Sequence, residues 1–183
     1  AALSEKLPWA GMFASGEVLA LVVFCGVLLG FAVKVPLWPF HTWLPDTYTE
    51  APSPVTMVLT GAMSKMGVYG LLRIALPIFP EQFRACQGVL VLLALATVVF
   101  PTFAAFAQTD LKRVLAYSSV NHLGYCLLAL FVLTPGGSGD VWVDGVAAPA
   151  LNGVILQMLN HGLTAAALFG AVELMEGRLE AVR

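Results

Sequence analysis

Residues Pro54–Leu76 read PVTMVLTGAMSKMGVYGLLRIAL, an apolar run with Lys65 at its midpoint and Arg73 near its far end. A hydrocarbon core about 30 Å thick is crossed by about 20 apolar residues of helix, so the run has the length of a membrane span. A lysine at the bilayer centre costs about 3 kcal/mol on insertion scales; Lys65 therefore needs a reason to be there. Arg73 can snorkel to the headgroups and anchor that end. Around Lys65 the side chains are small: Gly61, Ala62, Ser64, Gly67 and Gly70 all lie within five residues of it. Small residues let neighbouring helices approach closely, so Lys65 is expected to face protein or internal water and not lipid.

The rest of the chain has the same character. Of its 183 residues, 59% are hydrophobic and 11% charged, against about 25% charged in a soluble domain. The expected class is an all-α integral membrane protein in contact with the lipid bilayer. A formal net charge of -2 and the lack of any basic run leave nothing to neutralise a phosphate backbone, which excludes nucleic acid as a partner. Cys25, Cys86 and Cys126 are widely separated, with no Cys-x-x-Cys pair, and read as small buried residues. No metal-ligand spacing, phosphate cradle or Ser-His-Asp pattern stands out. There is no initiator Met, and the apolar run after Glu17 lacks a basic n-region and a cleavage site, so the chain is expected to be an internal segment or a mature fragment.

Apolar runs between breakers predict about five transmembrane helices. Residues 1–16 form a loop or interfacial lead-in. The first span, 17–48, is discontinuous, because Pro36 and Pro39 remove backbone donors while aromatic residues continue past them. The spans 53–76 with Lys65, 82–107 with a kink expected at Pro101-Thr102, 111–134 with His122 and 149–175 with His161 follow. Residues 135–148 form a loop and 176–183 a tail.

Four ionisable groups, Lys34, Lys65, His122 and His161, sit near the middle or the break of these spans. Burial penalises the charged form of a lysine and a nearby carboxylate or hydration favours it. A lysine placed between those influences is switchable, as a proton relay requires. Lys34, two residues before Pro36, lies where a broken helix admits water. The histidines titrate near neutral pH when unperturbed; each follows an asparagine, Asn121 and Asn160, and Gln157 lies one turn before His161. These groups could form a hydrogen-bonded wire with water. Tyr69 accompanies Lys65 one turn on, Glu50 stands where it suits the positive end of the next helix, and His41 belongs to an interfacial aromatic stretch with Trp38 and Trp43. An alternative from another class is a haem-binding electron-transfer module with His122 and His161 as axial ligands.

A set of motifs in the right order carries a family resemblance. Phe31–Pro36, Pro39–Asp46 and Glu50–Pro52 resemble the antiporter-like proton-pumping subunits of respiratory complex I, NADH:quinone oxidoreductase. Ser64–Arg73, Phe106–His122 and Leu156–Gly162 are similar to the subunit M (mitochondrial subunit 4) type. The resemblance implies a larger antiporter-like fold of about fourteen helices, of which this chain would hold about five, as a piece of a longer subunit or part of a split one. It also implies proton translocation through a central lysine/histidine/water axis, with Lys34 pairing a glutamate of an earlier helix, Lys65 continuing the axis and His122 and His161 carrying it onward. Enzyme activity then belongs to the multisubunit translocase, with no redox chemistry or cofactor in this chain; NADH, FMN, iron–sulfur clusters and quinone are expected in partner subunits. Partners would be the other membrane subunits of complex I and the rest of the same subunit, in a bacterial cell membrane or mitochondrial inner membrane. Mrp-type cation/proton antiporters and membrane-bound hydrogenases share much of the pattern and stay as alternatives. Met63-Ser64 before Lys65 and the Gly-rich 135–148 segment depart from the family without disturbing the ionisable positions.

Overall fold

A computed structural model describes residues 17–133 and 147–181 of the chain. The expected lead-in 1–16 and nearly all of the expected loop 135–148 lie outside those residues. The described residues form six helices and no strand: α1 Glu17–Lys34, α2 Trp43–Glu50, α3 Ser53–Ile78, α4 Pro80–Phe106, α5 Leu111–Val132 and α6 Ala147–Ala181. Four stretches, Ser53–Ile78, Pro80–Phe106, Leu111–Val132 and Ala148–Arg178, are long and apolar enough to cross a membrane, and α1 adds a shorter apolar helix. The protein is an all-helical integral membrane protein.

The break after α1 separates it from α2. Pro36 has no N–H to extend the helix and restricts the residue before it, and the chain closes instead with Leu37 N donating to Ala32 O at 2.9 Å. The carbonyl of Val33, left without a helical partner, accepts from the Trp43 indole at 3.0 Å, which satisfies an end group that would otherwise be orphaned. Trp38 N donates to Thr97 Oγ1 at 2.8 Å and its ring stacks on Phe100 at 5.4 Å. The break is thus tied to α4.

Pro54 lies in the first turn of α3, where its missing N–H removes no helical bond. Two π-helical turns, Leu59–Met63 and Leu71–Ala75, bracket the α-helical turns Ser64–Gly70. The helix α4 runs without interruption through Pro101. Asp110 caps α5, accepting from Lys112 N at 3.1 Å as an N-cap carboxylate does. At the other end of α5, Gln87 Nε2 donates to the carbonyls of Phe131 and Val132 at 3.1 and 3.2 Å. The last helix is longer than the expected 149–175 and runs through most of the expected tail, to Ala181; no proline interrupts residues 176–181.

The central element is α5. Ala116, Val120, Leu123, Leu127, Leu130 and Phe131 are buried along it at the three- and four-residue spacing of one helix face. It packs on α4, α6 and α2, while α3 packs on α6. Tyr48 of α2 fits between these helices, its ring edge-on to Phe169 of α6 at 5.7 Å. Between α3 and α6 the backbones meet at glycines: a Cβ on Gly162 would lie 2.6 Å from Gly61 O.

Candidate functional site

Lys65 stands on the turns between the two π segments, 9% exposed. Its Nζ donates to the backbone carbonyl of Thr60 and, at 3.2 Å, to Ser64 Oγ. The wider π turn before it matters here. A π-helical turn displaces the backbone register locally and recurs at functional sites, and it brings the carbonyl five residues back under the ammonium. No ion pair among the described residues involves Lys65 or Lys34; the lysine is held by dipoles alone.

Hydroxyl groups extend from Lys65 in two directions. Thr56, Thr60 and Ser64 follow one another at four-residue spacing on the buried face of α3. Ser64 Oγ donates to Thr60 O at 3.1 Å, and Thr60 Oγ1 lies 3.4 Å from Ser119 Oγ of α5. Ser119 borders a cavity of about 50 Å³ whose other walls include His122, His161 and Thr164. On the opposite side, Ser64 borders a cavity of about 30 Å³ with Lys34, Trp43 and Tyr48. A water needs roughly 10–15 Å³ of such space, so the two cavities have room for a few waters each.

His122 and His161 are neighbours, with ring centroids 4.9 Å apart and planes inclined by 40°. Gln157 Nε2 lies 3.1 Å from His122 Nδ1, while the buried Nδ1 of His161 has no hydrogen-bond partner among the described residues. A buried ring nitrogen without a partner is a place for water. Both rings lie within electrostatic range of the Lys65 ammonium, so a charge on any one of the three is felt by the others. Haem does not fit between these histidines. Two imidazoles in contact leave no room for an intervening porphyrin, and the adjoining 50 Å³ cavity is far below the roughly 300–1,000 Å³ of cofactor-sized pockets.

The four expected ionisable residues are therefore brought into one band across the helices, with Gln157 joined to His122 and not to His161. Asn160 is not brought in: it lies on the exposed side of α6. Tyr69 is 56% exposed and lines, with Lys65, Gly61, Met66 and Met158, an outer groove of about 340 Å³ between α3 and α6. Glu50 ends α2, exposed. Asn121 turns away from the histidines and donates to Thr102 Oγ1 at 2.8 Å. The sequence reading missed Tyr48, Thr60 and Ser119. Thr60 carried a signal, the four-residue hydroxyl spacing that ends beside Lys65; Tyr48 and Ser119 come from other helices and carried none.

Comparison with known proteins places this arrangement in context. The model of a family described as NADH:quinone oxidoreductase/Mrp antiporter, transmembrane, matches residues 3–183. The chain is 42% identical to NAD(P)H-quinone oxidoreductase chain 4 1 of Picosynechococcus sp. over 151 residues, 82% of this chain and 26% of that protein. It is 44% identical to chain 4 2 of Thermosynechococcus vestitus over 151 residues, with the same 82% and 26% covered. It is 39% identical to chain 4 3 of Picosynechococcus sp. over 176 residues, 92% of this chain and 30% of that protein. The chain thus spans between a quarter and a third of the length of these curated relatives.

Proposed function

The chain belongs to the NADH:quinone oxidoreductase/Mrp antiporter transmembrane family, and on that premise we propose that it carries a segment of the proton path in the membrane arm of an NAD(P)H:quinone oxidoreductase, as a chain 4 or M-type subunit. The observation that carries this reading is the position of Lys65. It donates to Ser64, which lines the Lys34 cavity, and to the carbonyl of Thr60, whose hydroxyl lies 3.4 Å from Ser119 at the wall of the histidine cavity.

The mechanism follows from those groups. A charged lysine has only donors to offer, and a neutral one can accept, so Lys65 accepts or releases a proton according to the charges that approach it. Protonating either histidine raises the cost of a charge on Lys65, and at effective dielectric values of about 20 such repulsion is worth a few kcal/mol at contact distances. A proton arriving from one side therefore favours departure to the other. The trigger is a change of charge or packing delivered by neighbouring membrane subunits, which biases the protonation equilibrium of the lysines. Electron transfer, with its nicotinamide, flavin, iron–sulfur and quinone groups, belongs to partner subunits on this reading. The remainder of the subunit would supply the acidic partner for Lys34.

Lys65→Ala in the assembled complex tests the reading. Proton pumping in membrane vesicles, normalised to the amount of assembled complex, is expected to fall by about tenfold or more, in the range of a lost proton-transfer group. Unchanged pumping with unchanged electron transfer to quinone would make Lys65 a structural charge and overturn the reading.

A further inference from the structure

Between Lys34 and Lys65 the groups that can pass a proton are hydroxyls. The side chain of Lys34 and that of Lys65 have no hydrogen bond to each other among the described residues; what they share is Ser64, which lines the Lys34 cavity and accepts from Lys65. The Thr60 carbonyl also accepts from Lys65, but a carbonyl has no proton to pass on. Hydroxyls both donate and accept, so a proton leaving Lys65 on this side has to travel through them.

Tyr48 is the remaining hydroxyl at that place. It is 2% exposed, and it lines the same cavity as Lys34 and Ser64, whose hydroxyl accepts from Lys65. Its ring alone satisfies the packing: Phe169, Leu44, Ala116 and Val120 form an apolar setting in which a phenylalanine would serve equally. A hydroxyl carried into such a setting costs free energy unless it is hydrogen-bonded, and the cavity it shares with Ser64 and Lys34 is where a partner stands.

We propose that Tyr48 is a proton-positioning residue that connects the Lys34 cavity to Lys65 through the hydroxyl of Ser64. This rests on the functional reading above and adds to it a specific carrier between the two lysines. In one transfer, charged Lys65 gives a proton to Ser64 Oγ, Ser64 gives its own hydroxyl proton to the Tyr48 oxygen, and Tyr48 gives its proton to water in the cavity, from which neutral Lys34 takes one. One proton leaves Lys65 and one arrives at Lys34. The hydroxyls end neutral with their hydrogen bonds reversed, and no electron moves.

The test compares Tyr48→Phe, Tyr48→His and Lys65→Ala in the assembled oxidoreductase complex, reading pumping per assembled complex in H₂O and D₂O. Tyr48→Phe keeps the ring and is expected to slow pumping about tenfold with a larger solvent isotope effect, because the proton transfer becomes limiting. Tyr48→His, which restores a group that donates and accepts, is expected to recover much of the rate. Tyr48→Phe with wild-type rate and isotope effect, beside a defective Lys65→Ala, would overturn the tyrosine's role alone. Slowing by Tyr48→Phe with an unchanged isotope effect and no recovery by Tyr48→His would also overturn it, since that is the pattern of a packing residue. Full pumping by Lys65→Ala would instead remove the functional reading beneath it.

Discussion

His122 shows how far a single contact governs the site. Its Nδ1 faces Gln157 Nε2 at 3.1 Å, and that contact holds the ring on the α6 side, where it lies 4.9 Å from His161. Gln157→Leu removes the partner from a half-buried nitrogen, at a cost of about 1 kcal/mol. The expected outcome is a small loss of thermal stability in the assembled complex with a larger loss of pumping, checked by measuring both on one preparation; equal losses would make Gln157 a packing residue. At this scale the sequence was informative about identity and not about pairing. Lys65, His122 and His161 stood out because ionisable groups inside apolar runs have no other account. That Gln157 would join His122, 35 residues away, and that Asn160 would face outward depends on how α6 is rotated against α5, which no local pattern encodes.

The break between α1 and α2 decides more than any other element, because it sets where Lys34, Trp43 and Tyr48 stand relative to α3. Prolines 36 and 39 made the interruption legible. Its geometry is held from outside, by Thr97 of α4, which is fully buried, accepts from Trp38 N at 2.8 Å and donates to Leu93 O at 2.7 Å. Thr97→Val keeps the shape and leaves the half-buried Trp38 N–H without its acceptor, a loss of about 1 kcal/mol. Thermal unfolding of the complex at a lower temperature, with pumping reduced because the Lys34 cavity moves, is the expected result. An unchanged melting temperature would show that the break is held without Thr97, by the stacking of Trp38 on Phe100 and the bond from Trp43 to Val33 O. The π turns of α3 were not legible, since Leu59–Met63 and Leu71–Ala75 have the composition of ordinary helix.

Over the whole molecule, the polar band runs between helices whose outer faces are apolar: Val22, Leu92, Phe103 and Leu174 are all more than 60% exposed. In lipid such faces give no hydrophobic drive for helices to associate, and close backbone packing takes that part. The seam of α3 and α6 depends on it. Gly162→Ala would set a methyl 2.6 Å from Gly61 O, whereas Gly61→Ala would place one at ordinary contact, 3.5 Å from Ala166 Cβ. Overpacking of this kind costs about 1–3 kcal/mol, so Gly162→Ala is expected to lower the yield of assembled complex and Gly61→Ala to leave it near wild type, as native gel electrophoresis would read. Polar ties also join α5 to its neighbours, Arg113 to Asp46 at 2.8 Å and Lys112 to Glu176 at 2.7 Å. Pairs at the surface, as Arg113–Asp46 is, contribute at most about 1 kcal/mol, and the helix seams outweigh them.

The sequence by itself determined the membrane class, the broken first span, the order of the helices and the four ionisable positions, because each of these follows from local composition: the length of an apolar run, a missing backbone donor, a charge where lipid forbids one. The tertiary structure decided which of those groups can speak to one another. Tyr48, Thr60, Ser64 and Ser119 acquire their place only when α2, α3 and α5 converge, and the contact of His122 with His161 only when α5 meets α6. Hydrogen bonds and cavities are set by distances of a few ångströms between residues far apart in the chain, and those distances are fixed by helix rotation and close packing.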